Sequence, residues 1–129
     1  MIYVLNFSHP FTREQLATIA DDYGIGMHDI TVVSCPVQID MNASLKQQVE
    51  TIISKIGFSS DEWQTQHIVM NPPALSNVAL VVMAELHGRI GHYPHMVRIV
   101  ANHNGPVTTF DVAEIINLDI VRANGRTAR

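Results

Sequence analysis

The side chains best suited to chemistry gather in the first ten residues. Asn6, Ser8 and His9 follow the apolar run Ile2–Leu5, and Pro10 comes directly after them. An imidazole can act as a general base or donate a hydrogen bond to a phosphate, and a serine beside it is a possible nucleophile. Pro10 imposes an extended or turning backbone on His9. These residue types predict a polar loop that holds a ligand.

A second polar turn follows another short apolar run. The run His67–Met70 leads into Asn71–Ala74, where two prolines prevent the strand from continuing. Backbone amides that open a helix after such a turn can hold a phosphate or the edge of a base. Alternatively, Asn6 and Asn71 only form turns through bonds to their own backbone. The sequence leaves both interpretations open.

Further candidates lie near the end of the longest predicted helix. Arg89 stands between Gly88 and Gly91, so a ligand could approach its guanidinium closely, although it could equally face solvent. The seven histidines match no zinc spacing and Cys35 is the only cysteine, so we predict no metal site and no disulfide. No glycine-rich nucleotide fingerprint is present, and we expect no cofactor.

Composition narrows the possible partners. The net charge of −4 argues against a surface that tracks duplex nucleic acid. Charged residues make up only 16 %, which favours a homo-oligomer with a buried interface over an apolar monomer. The longest apolar run, Val78–Ala84, is too short to span a bilayer, and no signal peptide precedes the first strand. We therefore expect a cytoplasmic protein without a membrane partner.

Periodicity and capping residues predict the elements that position these side chains. Three strand–helix units come first, then a hairpin, and the polar tail is expected to be partly frayed. The predicted segments are a strand Ile2–Leu5, a helix from the N-cap Thr12 to Tyr23, a strand within Asp29–Ile39, a helix opened by a Ser44–Gln47 capping box, a strand His67–Met70, a helix Leu75–Ile90, hairpin strands Met96–Ala101 and Phe110–Leu118, and the tail Asp119–Arg129.

This order predicts an α/β fold in one domain, residues 1–129. We expect a Rossmann-like three-layer sandwich, with a mostly parallel sheet and a C-terminal antiparallel hairpin. The first and third strands should be neighbours, which brings Asn6–Pro10 and Asn71–Ala74 together at a topological switch point. The helix Leu75–Ile90 is apolar nearly all round, so the sheet would cover one face and a second subunit the other.

With these segments in view, the chain resembles a small accessory family of type III CRISPR systems. The resemblance spans residues 2 to 118, and five short motifs carry it in order. They are Ile2–Pro10, Glu62–Thr65, Asn71–Leu75, Glu85–Gly91 and Ala113–Leu118.

That family is similar to the CRISPR-associated Rossmann-fold (CARF-like) sensors, dimers that bind a cyclic oligoadenylate messenger on their two-fold axis. The resemblance implies the same ligand here, most simply cyclic tetra-adenylate. By resemblance, the ligand-binding residues would be Asn6, Phe7, Ser8, His9, Pro10, Asn71, Pro72, Pro73, Ala74, Gly88 and Arg89, with Arg89 reaching the phosphates.

The resemblance covers only the sensor part, so the chain would sequester the messenger or degrade it. A metal-independent ring nuclease would need Ser8 and His9 to align a ribose hydroxyl with its phosphate, leaving a 2′,3′-cyclic phosphate. No carboxylate stands beside His9 to orient it, which favours holding the ring over cutting it. A non-catalytic interaction module of a CRISPR complex is the remaining alternative.

Overall fold

Five strands form one mixed sheet, with α-helices on both of its faces. The computed structural model describes residues 1–129. The strands are β1 Ile2–Asn6, β2 Ile30–Ser34, β3 His67–Asn71, β4 His95–Asn102 and β5 Thr109–Asn117. The helices are α1 Arg13–Tyr23, α2 Leu45–Ser54, α3 Ser60–Thr65, α4 Ser76–Ile90 and α5 Leu118–Thr127, and a 3₁₀ turn, Met27–Asp29, precedes β2.

The strand order is β2-β1-β3-β4-β5. The first four strands run parallel, and β5 returns antiparallel to β4. This arrangement confirms the predicted α/β, Rossmann-like fold with its C-terminal hairpin. It also confirms that β1 and β3 are neighbours, since Asn6 pairs with Asn71 in their register.

The chain changes direction between these two central strands. From β1 it passes to β2 on one side, and from β3 it passes to β4 on the other side. The carboxyl ends of β1 and β3 therefore flank the topological switch point, where open α/β sheets bind their ligands. The strand order thus places the exits Asn6–Pro10 and Asn71–Ala74 side by side, as predicted.

Two apolar cores lie on opposite faces of the sheet. The alternation of side chains along each strand sends neighbouring residues to opposite faces. One core joins the sheet to α2, α3 and α4, and its buried residues are Leu5, Phe7, Cys35, Val49, Ile53, Trp63, Ile68, Met70, Val78, Val82, Leu86 and Ile90. The other core joins the sheet to α1, and its buried residues are Ile2, Val4, Ile19, Val69 and Val97.

Helix α4 is covered on more than one side, but by its own chain. The sheet covers one side, and α2 and α3 pack along it as well. One stripe stays open, where the side chain of Leu80 is 71 % exposed and Ala84 is exposed too. This open stripe is narrower than the whole helix face that the sequence predicted to be covered by a second subunit.

The two capping motifs predicted for helix starts have different outcomes. Thr12 caps α1 and forms a capping box with Gln15, as its position predicts. The predicted capping box of Ser44 with Gln47 is wrong, because the Ser44 hydroxyl makes no capping bond. Instead, the Gln48 side chain bonds the backbone around the helix start, accepting from the Asp40 amide and donating to its carbonyl.

The C-terminal tail corrects a prediction. The residues expected to fray from Asp119 onward form helix α5. Asn117 ends β5 and caps the helix, because its Oδ1 accepts the amides of Asp119 and Ile120 at 3.0 and 3.3 Å. No helix in the structure combines the length and apolar character that crossing a bilayer requires.

Candidate functional site

The crevice is built on a buried pair of asparagines. Asn71 Nδ2 donates to Asn6 Oδ1 at 2.9 Å, which joins the ends of β1 and β3. The backbone extends this join, since the Phe7 amide donates to the Asn71 carbonyl at 3.0 Å and the Cys35 amide to the Asn6 carbonyl at 2.9 Å. The floor is therefore a rigid junction of three adjacent strand ends.

Asn6 also shapes the loop that follows. Its Oδ1 accepts the Ser8 amide at 3.1 Å, and its Nδ2 donates to the His9 carbonyl at 2.9 Å. The side chain is almost fully buried and its bonds all lie within the protein. Of the two interpretations of Asn6, turn formation is the one the structure supports. Asn6 thus positions Ser8 and His9, whose side chains are exposed.

The other predicted floor residues divide by exposure. Phe7 and Pro73 are buried and shape the floor without facing a ligand. Pro10 and Ala74 are exposed and Pro72 is half-buried, so these three are accessible to a ligand, as are Ser8 and His9.

The start of α4 supplies unoccupied donors beside this loop. Leu75 occupies the N-cap position and has no side chain that can accept a bond, so the first-turn amides, including those of Ser76 and Asn77, lack a cap. By contrast, the start of α1 is closed by the Thr12 capping box. An open helix N-terminus favours an anion, and here it follows the exposed turn after β3.

The crevice offers hydrogen-bond donors and no acid–base pair. The His9 imidazole has no ion-pair partner, since every ion pair in the structure involves other residues. Cys35 lies under the floor, where burial raises the pKa of its thiol to about 11 and keeps it protonated. These features suit holding a phosphate more than moving protons.

The structure does not bring Arg89 to the crevice. Helix α4 starts beside the end of β3 and runs back to the start of β4, which places Arg89 about 20 Å along the helix from Ser76. A single chain therefore does not bring Gly88 and Arg89 to the same ligand as Ser8. The reason is helix length, because fifteen residues carry the chain to the opposite edge of the sheet.

Arg89 instead completes a cleft of about 480 Å³ at that opposite edge. Its guanidinium carbon lies 5.8 Å from the centre of the Trp63 ring, and one nitrogen bonds Ser54 Oγ at 2.9 Å and Glu85 at 3.1 Å. Glu85 neutralises the charge and Trp63 supports it. These contacts indicate that Arg89 stabilises the packing of α4 on α3 and α2.

A titratable cluster that the sequence did not predict lies at the same edge. Tyr23 Oη is 2.6 Å from His95 Nδ1, and His67 Nε2 is 3.5 Å from the same nitrogen. Partial burial lowers the pKa of His67, and so do the nearby His95 and His92. Partial burial also lowers the pKa of His95, against the opposing effect of Asp119. Burial raises the pKa of Tyr23 to about 12.

These histidines do not form a metal centre. No group of three or more His, Cys, Asp or Glu side chains is arranged to hold a metal ion. The pairing of β3 with β4 brings His67 and His95 together, and each opens its strand at the amino edge of the sheet. Their separation of 28 positions carries no local signal that sequence reasoning could use.

The fold defines the chain as a mixed-sheet α/β domain, with the exposed Ser8 and His9 and an uncapped helix start at its switch point. Comparison with models of protein families, with curated proteins and with solved structures finds no match to this chain.

Proposed function

We propose that this chain binds a cyclic oligoadenylate, most simply cyclic tetra-adenylate, between two copies and sequesters it. One observation carries the proposal. The uncapped start of α4 and the exposed loop residues Ser8 and His9 present donors at the switch point. Donors without a neighbouring carboxylate suit phosphates, and the resemblance to CARF-like proteins names the phosphate ligand.

The ring is larger than the donor set of one chain, so two copies would bind it together. One chain offers a single open helix start beside the crevice, whereas a cyclic tetra-adenylate carries four phosphates. A two-fold axis through the ring would present two crevices to it, in keeping with the symmetry of both partners. The exposed Leu80 on α4 supplies an apolar contact close to such an axis.

Sequestration is favoured over cleavage because His9 lacks an orienting partner. The test uses isothermal calorimetry with cyclic tetra-adenylate, followed by incubation of excess labelled ring with the protein in EDTA. We expect binding and quantitative recovery of intact ring. Multiple-turnover release of linear di-adenylate with a 2′,3′-cyclic phosphate, lost in His9→Ala, would show a ring nuclease instead.

Failure to bind any ring size would contradict both readings. The chain would then be a non-catalytic interaction module, and capture of a purified type III complex on the immobilised protein would be the next measurement. Heat-denatured protein and an unrelated α/β domain serve as controls for that capture.

A further inference from the structure

Helix α5 has almost no partner within its own chain. Its first two residues touch the body of the protein, where the Tyr93 amide donates to Asp119 Oδ1 at 3.0 Å. From Ile120 to the end every residue is exposed, and Ile120 and Val121 are 57 and 56 % exposed. A helix of ten residues is marginal in water by itself, so most helices of this length depend on packing.

The place of α5 in the fold explains why its own chain cannot cover it. It follows β5 directly, and β5 is the last strand of the sheet. No further strand lies beyond β5 to receive the apolar side chains of α5. The missing surface would be supplied by another strand placed along the free edge of β5.

A second copy of this chain has the right charge for that place. The segment from Leu118 to Arg129 carries three arginines and one aspartate, and none of these arginines forms an ion pair. The rest of the chain carries eleven carboxylates against five lysines and arginines. The basic helix is therefore complementary in charge to the acidic remainder of another copy. Within its own chain, its arginines form no ion pair with that remainder.

A two-fold axis beside β5 would bring the complementary patches together. When two copies of an edge strand meet antiparallel, the end of each lies beside the start of the other. Phe110 lies near the start of β5 and is 61 % exposed. Gln15 Nε2 of α1 donates to the Phe110 carbonyl, which places the neighbouring Glu14 in the same region.

We propose that two copies of this chain associate along β5 about a two-fold axis, independently of any ligand. In this dimer, Ile120 and Val121 of each copy pack on Phe110 of the other, and Arg122 and Arg126 face Glu14. The contact uses residues of α1, β5 and α5 that the proposed ring site does not use, so it stands or falls separately from the proposed binding function.

The test is the mass of the ligand-free protein by sedimentation equilibrium at micromolar concentration. We expect a dimer whose dissociation constant rises about tenfold or more in Ile120→Asp/Val121→Asp, as for loss of an interface anchor. Circular dichroism should lose at most the signal of helix α5, because the two cores of the chain do not involve it. Met41→Asp is the matched control, because Met41 is 83 % exposed and distant in sequence from β5 and α5.

A charge exchange gives a second test that does not depend on apolar contacts. Arg122→Glu alone and Glu14→Arg alone should each weaken the dimer, and the double variant should recover most of it. A monomeric wild type would overturn the proposal, as would a dimer that Ile120→Asp/Val121→Asp leaves intact. Unchanged ring binding by Ile120→Asp/Val121→Asp would show that the β5–α5 dimer contact and the ring site are separate.

Discussion

At the scale of single residues, Asn6 connects the floor of the crevice to its rim. Its amide oxygen accepts two N–H groups and its amide nitrogen donates to one carbonyl. The sequence indicated a polar strand end at Asn6. Whether Asn6 forms a turn or contacts a ligand depended on the path of the backbone of residues 7 to 9. That path is set by Pro10 and by the buried Phe7, which local sequence reasoning did not resolve.

The first residue-scale prediction concerns the open start of α4. Leu75→Asp places a carboxylate at the N-cap, where it can accept the first-turn amides. We expect it to raise the free energy of unfolding by about 1 kcal/mol, since capping contributes that much. The same substitution should weaken cyclic tetra-adenylate binding at least tenfold, because the amides are occupied and the new charge repels phosphate. Urea denaturation and calorimetry measure the two effects.

Leu75→Ala is the matched control for this variant. It removes the same exposed side chain but supplies no cap, so neither the stability gain nor the strong loss of binding should follow. Ring binding that Leu75→Asp leaves unchanged would exclude the α4 start from the site.

The second residue-scale prediction concerns Arg89. Arg89→Ala should lower the free energy of unfolding by about 1 kcal/mol, the combined worth of a partly exposed ion pair and a cation–π contact. Ring binding should be unchanged, since the residue lies at the far end of α4. A tenfold loss of binding with unaltered stability would show that Arg89 contacts the ligand from a second copy.

At the scale of elements, the Tyr23–His95–His67 junction ties α1 to the starts of β3 and β4. Both histidines have a pKa lowered below the usual value near 6.5. Below about pH 6.5 the unfolded chain therefore binds more protons than the folded chain. The free energy of unfolding then rises with pH in that range. We expect full stability above about pH 6.5 and a loss as the pH falls toward the lowered pKa values.

Urea midpoints between pH 8 and pH 5 measure this dependence. His67→Gln and His95→Gln should each flatten the profile, because each removes one of the two titrating groups. His103→Gln, in the exposed hairpin loop, should follow the wild type. A wild-type midpoint that stays constant across this range would contradict the role given to the junction.

The order of elements was predictable because each long apolar segment has a single period and a clear boundary. The position of Arg89 was also available from the sequence, since a predicted helix of this length must carry it to the opposite sheet edge. Helix α5 was missed for a local reason. Asn124 and Gly125 are weak helix formers, and the Asn117 cap resembles a turn residue when the neighbouring strand is unknown.

At the scale of the whole molecule, the two edges of the sheet have different chemistry. The carboxyl edge presents exposed donors and an open helix start, whereas the amino edge holds Tyr23, His67, His95 and the buttressed Arg89. Strand direction alone produces this separation. Each helix that joins two parallel strands runs from the carboxyl edge of the sheet back to its amino edge. Ligand binding at one edge and pH sensitivity at the other should therefore be separable by mutation.

The last prediction joins the crevice to the exposed stripe of α4. If two copies share one ring, calorimetry should give one cyclic tetra-adenylate for every two chains. Leu80→Asp should weaken this binding at least tenfold, because burying an unpaired carboxylate between two copies is costly. Stability of the free chain should not change, since Leu80 lies outside both cores, and Met41→Asp is again the control. A one-to-one complex with a single chain would contradict the shared site, because one crevice would then suffice to hold the whole ring.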